Sequence, residues 1–88
     1  MAEQLMLMKH PACGYCKILE ERIKDKIDDG TIGIIDASTS EGLEIAKSLG
    51  IRGVPDCVRK KEDGTYERCG LEELLKVQKV SLLPVKLS

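Results

Sequence analysis

Hydrophobic positions in the first third of the chain change from a short apolar run to a helical repeat. Gln4-Leu5-Met6-Leu7-Met8 is followed by Lys9-His10-Pro11, which predicts a buried strand over 4–8 that the proline stops. From Tyr15 to Asp28 apolar residues recur every three or four positions and charged residues fill the opposite face. This pattern predicts one helix ending at Gly30, with an inward face formed by Cys16, Leu19, Ile23 and Ile27.

The middle of the chain predicts a second strand and a second helix. The run 31–36 is rich in isoleucine and bounded by turn residues, which is typical of a strand. Ser38 and Glu41 have the spacing of a capping box, so we expect a helix to begin there and to end at Gly50. Its inward face is formed by Ile45, Ala46 and Leu49.

The last third predicts a hairpin and a final helix. Segments 56–61 and 65–68 are strand-like and are joined by Glu62-Asp63-Gly64, a strong hairpin signal. The range 71–80 predicts a helix with Leu71, Leu74 and Leu75 facing inward. The fold is therefore α/β: a right-handed parallel crossover followed by a hairpin gives a mixed four-stranded sheet with helices on both faces.

Composition and charge argue against several classes of protein. The chain has 88 residues, which we expect to form one domain over 1–88, and it has no Phe or Trp to build its core. A net charge of -1 argues against nucleic acid as a partner. No apolar stretch reaches the roughly 18 residues that cross a bilayer, and the first residues do not resemble a secretory signal. We therefore expect a cytoplasmic monomer without membrane association.

The chemistry of the chain is concentrated in Cys13-Gly14-Tyr15-Cys16, between the first strand and the first helix. A sulfur at a helix N-terminus lies near unpaired N–H groups and the positive end of the helix dipole, and both favour the thiolate. Such sites lower a thiol pKa from about 8.5 to about 3.5–7.5. Cys13 is therefore the predicted nucleophile, and Cys16, one turn later, the predicted resolving thiol.

A metal site is the main alternative. Zinc ribbons and iron–sulfur proteins also use C-x-x-C, and His10 could join Cys13 and Cys16 as a third ligand. A second pair of similar spacing is missing from the sequence, because Cys57 and Cys69 lie far apart in predicted strands. A lone His beside Pro11 is more often a solvated loop residue. We therefore expect no bound metal.

Two motifs together make the chain resemble the thioredoxin/glutaredoxin superfamily. They are the C-x-x-C pair and Gly53-Val54-Pro55 just before the third strand, and the order of elements agrees over nearly the whole chain. The resemblance implies a cis proline at Pro55 placed against the redox cysteines. It also implies that the backbone of Val54 pairs with substrate as an added strand.

The branch of that superfamily stays open. Tyr15 matches the Cys-Pro-Tyr-Cys of glutaredoxins, but Gly14 replaces the proline and Ala12 replaces the tryptophan of thioredoxins. The glutathione motif before the last helix is matched only in Gly70, Glu72 and Glu73, with Cys69 in place of its first glycine. Either glutathione or thioredoxin reductase could therefore be the reductant.

The resemblance implies an enzyme of electron transport, a dithiol–disulfide oxidoreductase that reduces protein disulfides or glutathione mixed disulfides. It needs no cofactor, with glutathione as an optional co-substrate; the alternative is a non-catalytic metal- or Fe–S-binding module of the same fold. Substrate is expected to lie along the loop before Pro55 and the start of the last helix. The expected contacts are Lys9, Tyr15, Arg52, Val54, Pro55, Gly70, Leu71 and Glu72.

Cys57 and Cys69 have two interpretations that depend on the hairpin. A three-residue loop with Gly64 in the left-handed region places the two cysteines opposite each other, whereas a two-residue loop turns them to opposite faces of the sheet. They are either a second redox pair or two buried residues behaving as small hydrophobes.

Overall fold

The computed structural model describes residues 3–77 and contains four strands and four helices in that range. In chain order the elements are β1 (Gln4–Lys9), α1 (Gly14–Arg22), α2 (Lys24–Asp28), β2 (Ile32–Asp36), α3 (Ser40–Ser48), β3 (Asp56–Lys60), β4 (Tyr66–Cys69) and α4 (Leu71–Lys76). None of the helices within residues 3–77 combines the length and apolar character needed to cross a membrane.

The strands form one mixed sheet in the order β2-β1-β3-β4. β1 pairs with β2 in parallel and with β3 in antiparallel register, and β3 pairs with β4 in antiparallel register. The predicted mixed sheet is confirmed. The ends of β1 and β4 and the start of β3 meet at one edge, because Leu7 pairs with Cys57 and Cys57 pairs with Cys69.

Helices cover both faces of the sheet, as predicted. Successive strand residues point to opposite faces, so Leu7 and Met8 enter two different clusters. The first core cluster contains Leu7, Leu19, Ile23, Ile32, Cys57 and Leu74, and brings α1 and α4 onto one face. The second core cluster contains Met8, Ile35, Ala46, Ile51 and Val58, and brings α3 onto the other face.

The predicted helix over 15–28 is two helices. Ile23 leaves the helical region at φ -112° and ψ 20°, so α1 ends before it and α2 begins after it. The Ile23 carbonyl then accepts two hydrogen bonds at 3.0 Å, one from the Lys26 N–H, as in a 3₁₀ turn, and one from the Ile27 N–H, as in an α-helix. The apolar spacing continues through this bend, and periodicity alone therefore gave no sign of it.

The predicted start of α3 at Ser38 is wrong by one residue. Thr39 is the N-cap, and its Oγ1 accepts a hydrogen bond from the Gly42 N–H at 3.0 Å. Ser38 instead donates both its N–H and its hydroxyl to the Asp36 carboxylate, at 2.8 and 2.6 Å. The preceding aspartate has therefore taken Ser38 into a turn before the helix begins.

Of the two loop lengths that fit the sequence, the hairpin has the three-residue loop. Gly64 has φ 89°, a left-handed conformation that glycine adopts without steric cost, and Cys57 is directly opposite Cys69. β3 ends one residue earlier, and β4 begins and ends one residue later, than the sequence predicted.

α4 is shorter than the predicted range 71–80 within the described chain. It ends at Lys76, and residues 78–80 lie outside the described residues. Leu74 is fully buried, and Leu71 packs against the first core cluster. Leu75 is 47% exposed, so its predicted inward orientation is wrong, because the next residue along a helix turns away from the face that Leu74 occupies.

Candidate active site

A tight turn carries the chain from β1 to Cys13. The Cys13 N–H donates to the His10 carbonyl at 3.0 Å, with Pro11 at the second position of the turn, where its fixed φ is favoured. The Ala12 N–H donates to His10 Nδ1 at 3.0 Å. These two bonds fix the approach to Cys13, and they give His10 a role that differs from both sequence interpretations.

Cys13 is the N-cap of α1. Its backbone is extended, and its Sγ accepts the Cys16 N–H at 3.1 Å. The first turn of α1 contains no acidic residue, so no carboxylate of that turn opposes negative charge on the sulfur. Of the two cysteines, Cys13 is partly exposed and Cys16 is 1% exposed, which leaves Cys13 as the sulfur that another molecule can reach.

Cys13 and Cys16 form a disulfide in the structure, with their Cα atoms 5.2 Å apart. The two cysteines are therefore close enough, at the start of α1, for their disulfide to be reduced and re-formed. The expected first contact with another disulfide is at the exposed sulfur, Cys13.

The loop before β3 lies against this pair. The Val54–Pro55 peptide bond is cis, as predicted, and the Val54 carbonyl oxygen is 3.8 Å from the Cys13 sulfur. Two segments that are 41 residues apart in sequence therefore meet at the Cys13 sulfur. Val54 and Pro55 are both partly buried.

A cleft of about 200 Å³ opens beside Val54. Its floor belongs to the second core cluster, and His10 and Arg52 bring polar groups to it. The lining residues are Met8, His10, Ala37, Leu43, Ala46, Ile51, Arg52, Gly53 and Val54. Arg52 is exposed, and Tyr15 on α1 is 60% exposed, so both side chains are accessible from the outside of the site.

Lys9 already has a partner on α1. Its Nζ lies 2.5 Å from a carboxylate oxygen of Glu20, a residue that the sequence did not single out. The predicted role of Lys9 toward substrate or the thiolate therefore competes with this ion pair, and it stays a prediction.

An acid lies next to Lys9 at the same edge of the sheet. Asp36 is the register partner of Lys9, and the Ala37 N–H donates to the Lys9 carbonyl at 2.7 Å. The pKa of Asp36 is lowered by the hydrogen bonds that it accepts from the Ser38 hydroxyl and N–H, with a smaller contribution from the positive charge of Lys9. A carboxylate therefore stays ionised near the site.

The start of α4 lies beyond β4 at the same edge of the sheet as the end of β1. Gly70 is its N-cap; the Gly70 N–H lies 3.4 Å from a Glu73 carboxylate oxygen, and the Glu73 N–H donates to the Gly70 carbonyl. Glu73 also pairs with Arg59 on β3. Glu72 is exposed and Leu71 partly buried. The predicted substrate contacts of Gly70, Leu71 and Glu72 stay predictions.

Sequence reasoning missed two features of the site. His10 was considered as a ligand or a solvated residue, yet it shapes the turn; the His-Pro-x-Cys spacing, with proline second, was the available signal. Glu20 gave no signal, because its pairing with Lys9 depends on the docking of α1 on the sheet. Within residues 3–77, no group of three or more His, Cys, Asp or Glu side chains is placed to share a metal ion.

Cys57 and Cys69 form a second disulfide at the same edge of the sheet. Their Cα atoms are 4.9 Å apart, and Cys57 is fully buried in the first core cluster. Of the two interpretations open from the sequence, the paired geometry is the one observed.

Comparison with known proteins gives a structural match. No protein-family model matches the chain, and no curated protein sequence does either. Among solved structures, the chain is similar to the solution structure of a thioredoxin from Thermus thermophilus, with a TM-score of 0.54 and 19% sequence identity. The match covers 77% of this chain and 58% of the thioredoxin, so the chain spans little more than half of that protein. At this identity the likeness shows the fold.

Proposed function

Because the chain has the thioredoxin fold and a Cys13-x-x-Cys16 pair at the start of a helix, we propose that it is a dithiol–disulfide oxidoreductase. It reduces disulfides of other proteins or glutathione mixed disulfides. The observation that carries this proposal is the position of the Cys13 sulfur, which caps α1 and lies against the Val54 carbonyl.

The reaction follows from the unequal exposure of the two cysteines. In the reduced protein the Cys13 thiolate attacks one sulfur of the substrate disulfide, a Cys13–substrate disulfide forms, and the first substrate thiolate leaves and takes up a proton. Cys16 then gives up its proton and attacks Cys13, which releases the second substrate thiol. Two electrons pass to the substrate, and the protein is left with the Cys13–Cys16 disulfide.

The N-terminus of α1 assists the first step. The Cys16 N–H is already directed at the Cys13 sulfur, so negative charge on that sulfur gains a hydrogen bond without rearrangement. Cys16 is buried beneath it, so a substrate disulfide meets the Cys13 sulfur first. The order of attack is therefore determined by burial as well as by charge.

Substrate is proposed to lie along Arg52, Gly53 and Val54. Val54 is only partly buried, and an extended peptide there would gain main-chain hydrogen bonds with little dependence on its sequence. Tyr15, Lys9 and the start of α4 border the same edge of the sheet and would make the flanking contacts. Glutathione, or thioredoxin reductase, would return two electrons to the Cys13–Cys16 disulfide, and we propose that this takes place in the cytoplasm.

The proposal is tested by turnover of insulin disulfides with dithiothreitol as the reductant. We expect the wild-type protein to accelerate insulin reduction and Cys13→Ser to abolish that acceleration, because the attacking sulfur is gone. Cys16→Ser should accumulate a mixed disulfide on Cys13, which mass spectrometry detects. Full activity in Cys13→Ser would contradict the proposal.

The reductant and the metal-binding alternative need separate measurements. Replacing dithiothreitol by glutathione, or by thioredoxin reductase with NADPH, identifies the physiological donor class. A visible absorption spectrum of protein purified without oxygen should show no charge-transfer bands. Such bands, together with unreactive thiols, would favour a cluster-binding module.

A further inference from the structure

The disulfide between Cys57 and Cys69 lies at the end of the hairpin ladder that faces the site. The β3–β4 register runs from Lys60 opposite Tyr66 to Cys57 opposite Cys69, so the cysteines are its last pair on the side away from the loop. The last pair of a short edge ladder is where fraying would begin. The cross-link therefore joins the two strands at their weakest point.

The two cysteines are close in sequence to the segments that border Cys13. Cys57 follows the cis Val54–Pro55 bond by two residues, and Cys69 directly precedes Gly70, the N-cap of α4. An ion pair at 2.9 Å between Arg68 and Asp56 reinforces the same end of the ladder. The Val54 carbonyl lies against the Cys13 sulfur shortly before β3 begins, and the disulfide links this end of β3 to β4.

The surroundings of this disulfide oppose its reduction. Cys57 is fully buried in the first core cluster, beside Leu7 and Leu74, and Cys69 packs against the same cluster. A reductant that attacked Cys69 would have to expel Cys57 as a thiolate into an apolar environment, which makes it a poor leaving group. Cys13, by contrast, carries its charge at a helix N-terminus.

We propose that Cys57–Cys69 is a fixed cross-link that positions the Val54 loop while Cys13–Cys16 opens and closes. Its two cysteines are positioning residues for the reaction. The positioning role rests on the proposed function. The resistance of Cys57–Cys69 to reduction is a property of that disulfide and does not depend on the proposed function.

The resistance of Cys57–Cys69 to reduction is measured on the wild-type protein, first in the folded state and then in guanidinium. A small dithiol converts each protein disulfide to two thiols and is itself oxidised to a cyclic disulfide. The folded protein is treated with a dithiothreitol concentration that fully opens Cys13–Cys16, the reductant is removed under acid conditions, and the protein is then unfolded and labelled with iodoacetamide. We expect label on Cys13 and Cys16 only, because Cys57–Cys69 stays closed, and label on all four cysteines when the reduction itself is carried out in guanidinium. Label on all four cysteines after reduction of the folded protein would overturn the proposal, whether or not the chain reduces insulin.

Positioning is measured with the double variant Cys57→Ala/Cys69→Ala, well below its melting temperature. We expect KM for a disulfide substrate to rise about fivefold or more, while the rate at which iodoacetamide alkylates Cys13 stays within about twofold of wild type. If the alanine variant does not fold, Cys57→Val/Cys69→Val keeps more of the apolar volume between the strands.

A matched control separates positioning from loss of stability. Ile23→Ala removes apolar volume from the same core cluster at the end of α1 that is far from Cys13. It should lower the melting temperature and leave KM unchanged. If the double variant behaves in the same way, with an unchanged KM, the cross-link is merely structural and the positioning role is refuted.

Discussion

The Cys13 sulfur occupies the place of a helix-capping oxygen. The C-x-x-C spacing puts the Cys16 N–H three residues further on, which is the distance at which N-cap side chains accept hydrogen bonds. This geometry could be predicted from two residues and their position after a strand. The pairing of Lys9 with Glu20 could not, because a contact between distant side chains depends on how α1 packs on the sheet.

Gly42 lies in α3 although glycine is a poor helix former, because a larger residue would not fit there. A Cβ at this position would lie 2.8 Å from the Asp36 carbonyl carbon and closer still to its oxygen. Helix propensity favours Ala over Gly by about 1 kcal/mol, whereas overpacking against rigid backbone costs about 1–3 kcal/mol. We therefore expect Gly42→Ala to lower the free energy of unfolding, measured by urea denaturation.

Gly14→Ala is the control for this prediction. A Cβ at Gly14 would meet no atom within 4 Å, so the same substitution in the first turn of α1 should leave the stability of the oxidised protein unchanged or raise it by less than about 1 kcal/mol. A stabilising Gly42→Ala would show that α3 can move away from Asp36 at little cost.

At the scale of the element, the ends of helices were harder to predict than their existence. Three consecutive residues, Ser38, Thr39 and Ser40, are all good N-caps, and the sequence favoured the one with a glutamate at capping-box spacing. The choice was decided by Asp36, whose carboxylate holds Ser38 in a turn. The bend at Ile23 had no sequence signal either, since the apolar spacing continues through it.

The two candidate caps can be compared by substitution. Thr39→Ala removes the Oγ1 that accepts the Gly42 N–H and donates to the Asp36 carbonyl at 2.8 Å, and should cost about 1 kcal/mol of unfolding free energy. Ser38→Ala removes only a hydroxyl on an exposed turn and should cost less. Urea denaturation of both variants measures the difference. A larger loss in Ser38→Ala would restore Ser38 as the cap.

At the scale of the whole molecule, the sheet could be predicted because few topologies satisfy the rules of connection. A helix between β1 and β2 implies a parallel pair, and the Asp63-Gly64 turn implies an antiparallel one. The hairpin register could not be decided, because two loop lengths fit the same residues. The left-handed Gly64 selects the longer loop and so brings Cys57 opposite Cys69.

That register has a consequence for a chain without Phe or Trp. Its two core clusters are small and aliphatic, so a covalent link between strands adds substantially to their stability. By the chain-entropy estimate, a disulfide closing a sequence separation of 12 contributes about 3 kcal/mol.

The cleft beside Val54 could not be predicted from the sequence, because its lining residues come from four separate segments of the chain.

The central claim is that Cys13 is the attacking sulfur, and competitive alkylation tests it most directly. The Cys13–Cys16 disulfide is reduced and treated at neutral pH with a limiting amount of iodoacetamide, and the labelled peptides are quantified by mass spectrometry. Cys13 should be modified about tenfold faster than Cys16, because it is the partly exposed sulfur at the helix N-terminus and Cys16 is 1% exposed. Faster labelling of Cys16 would contradict the claim.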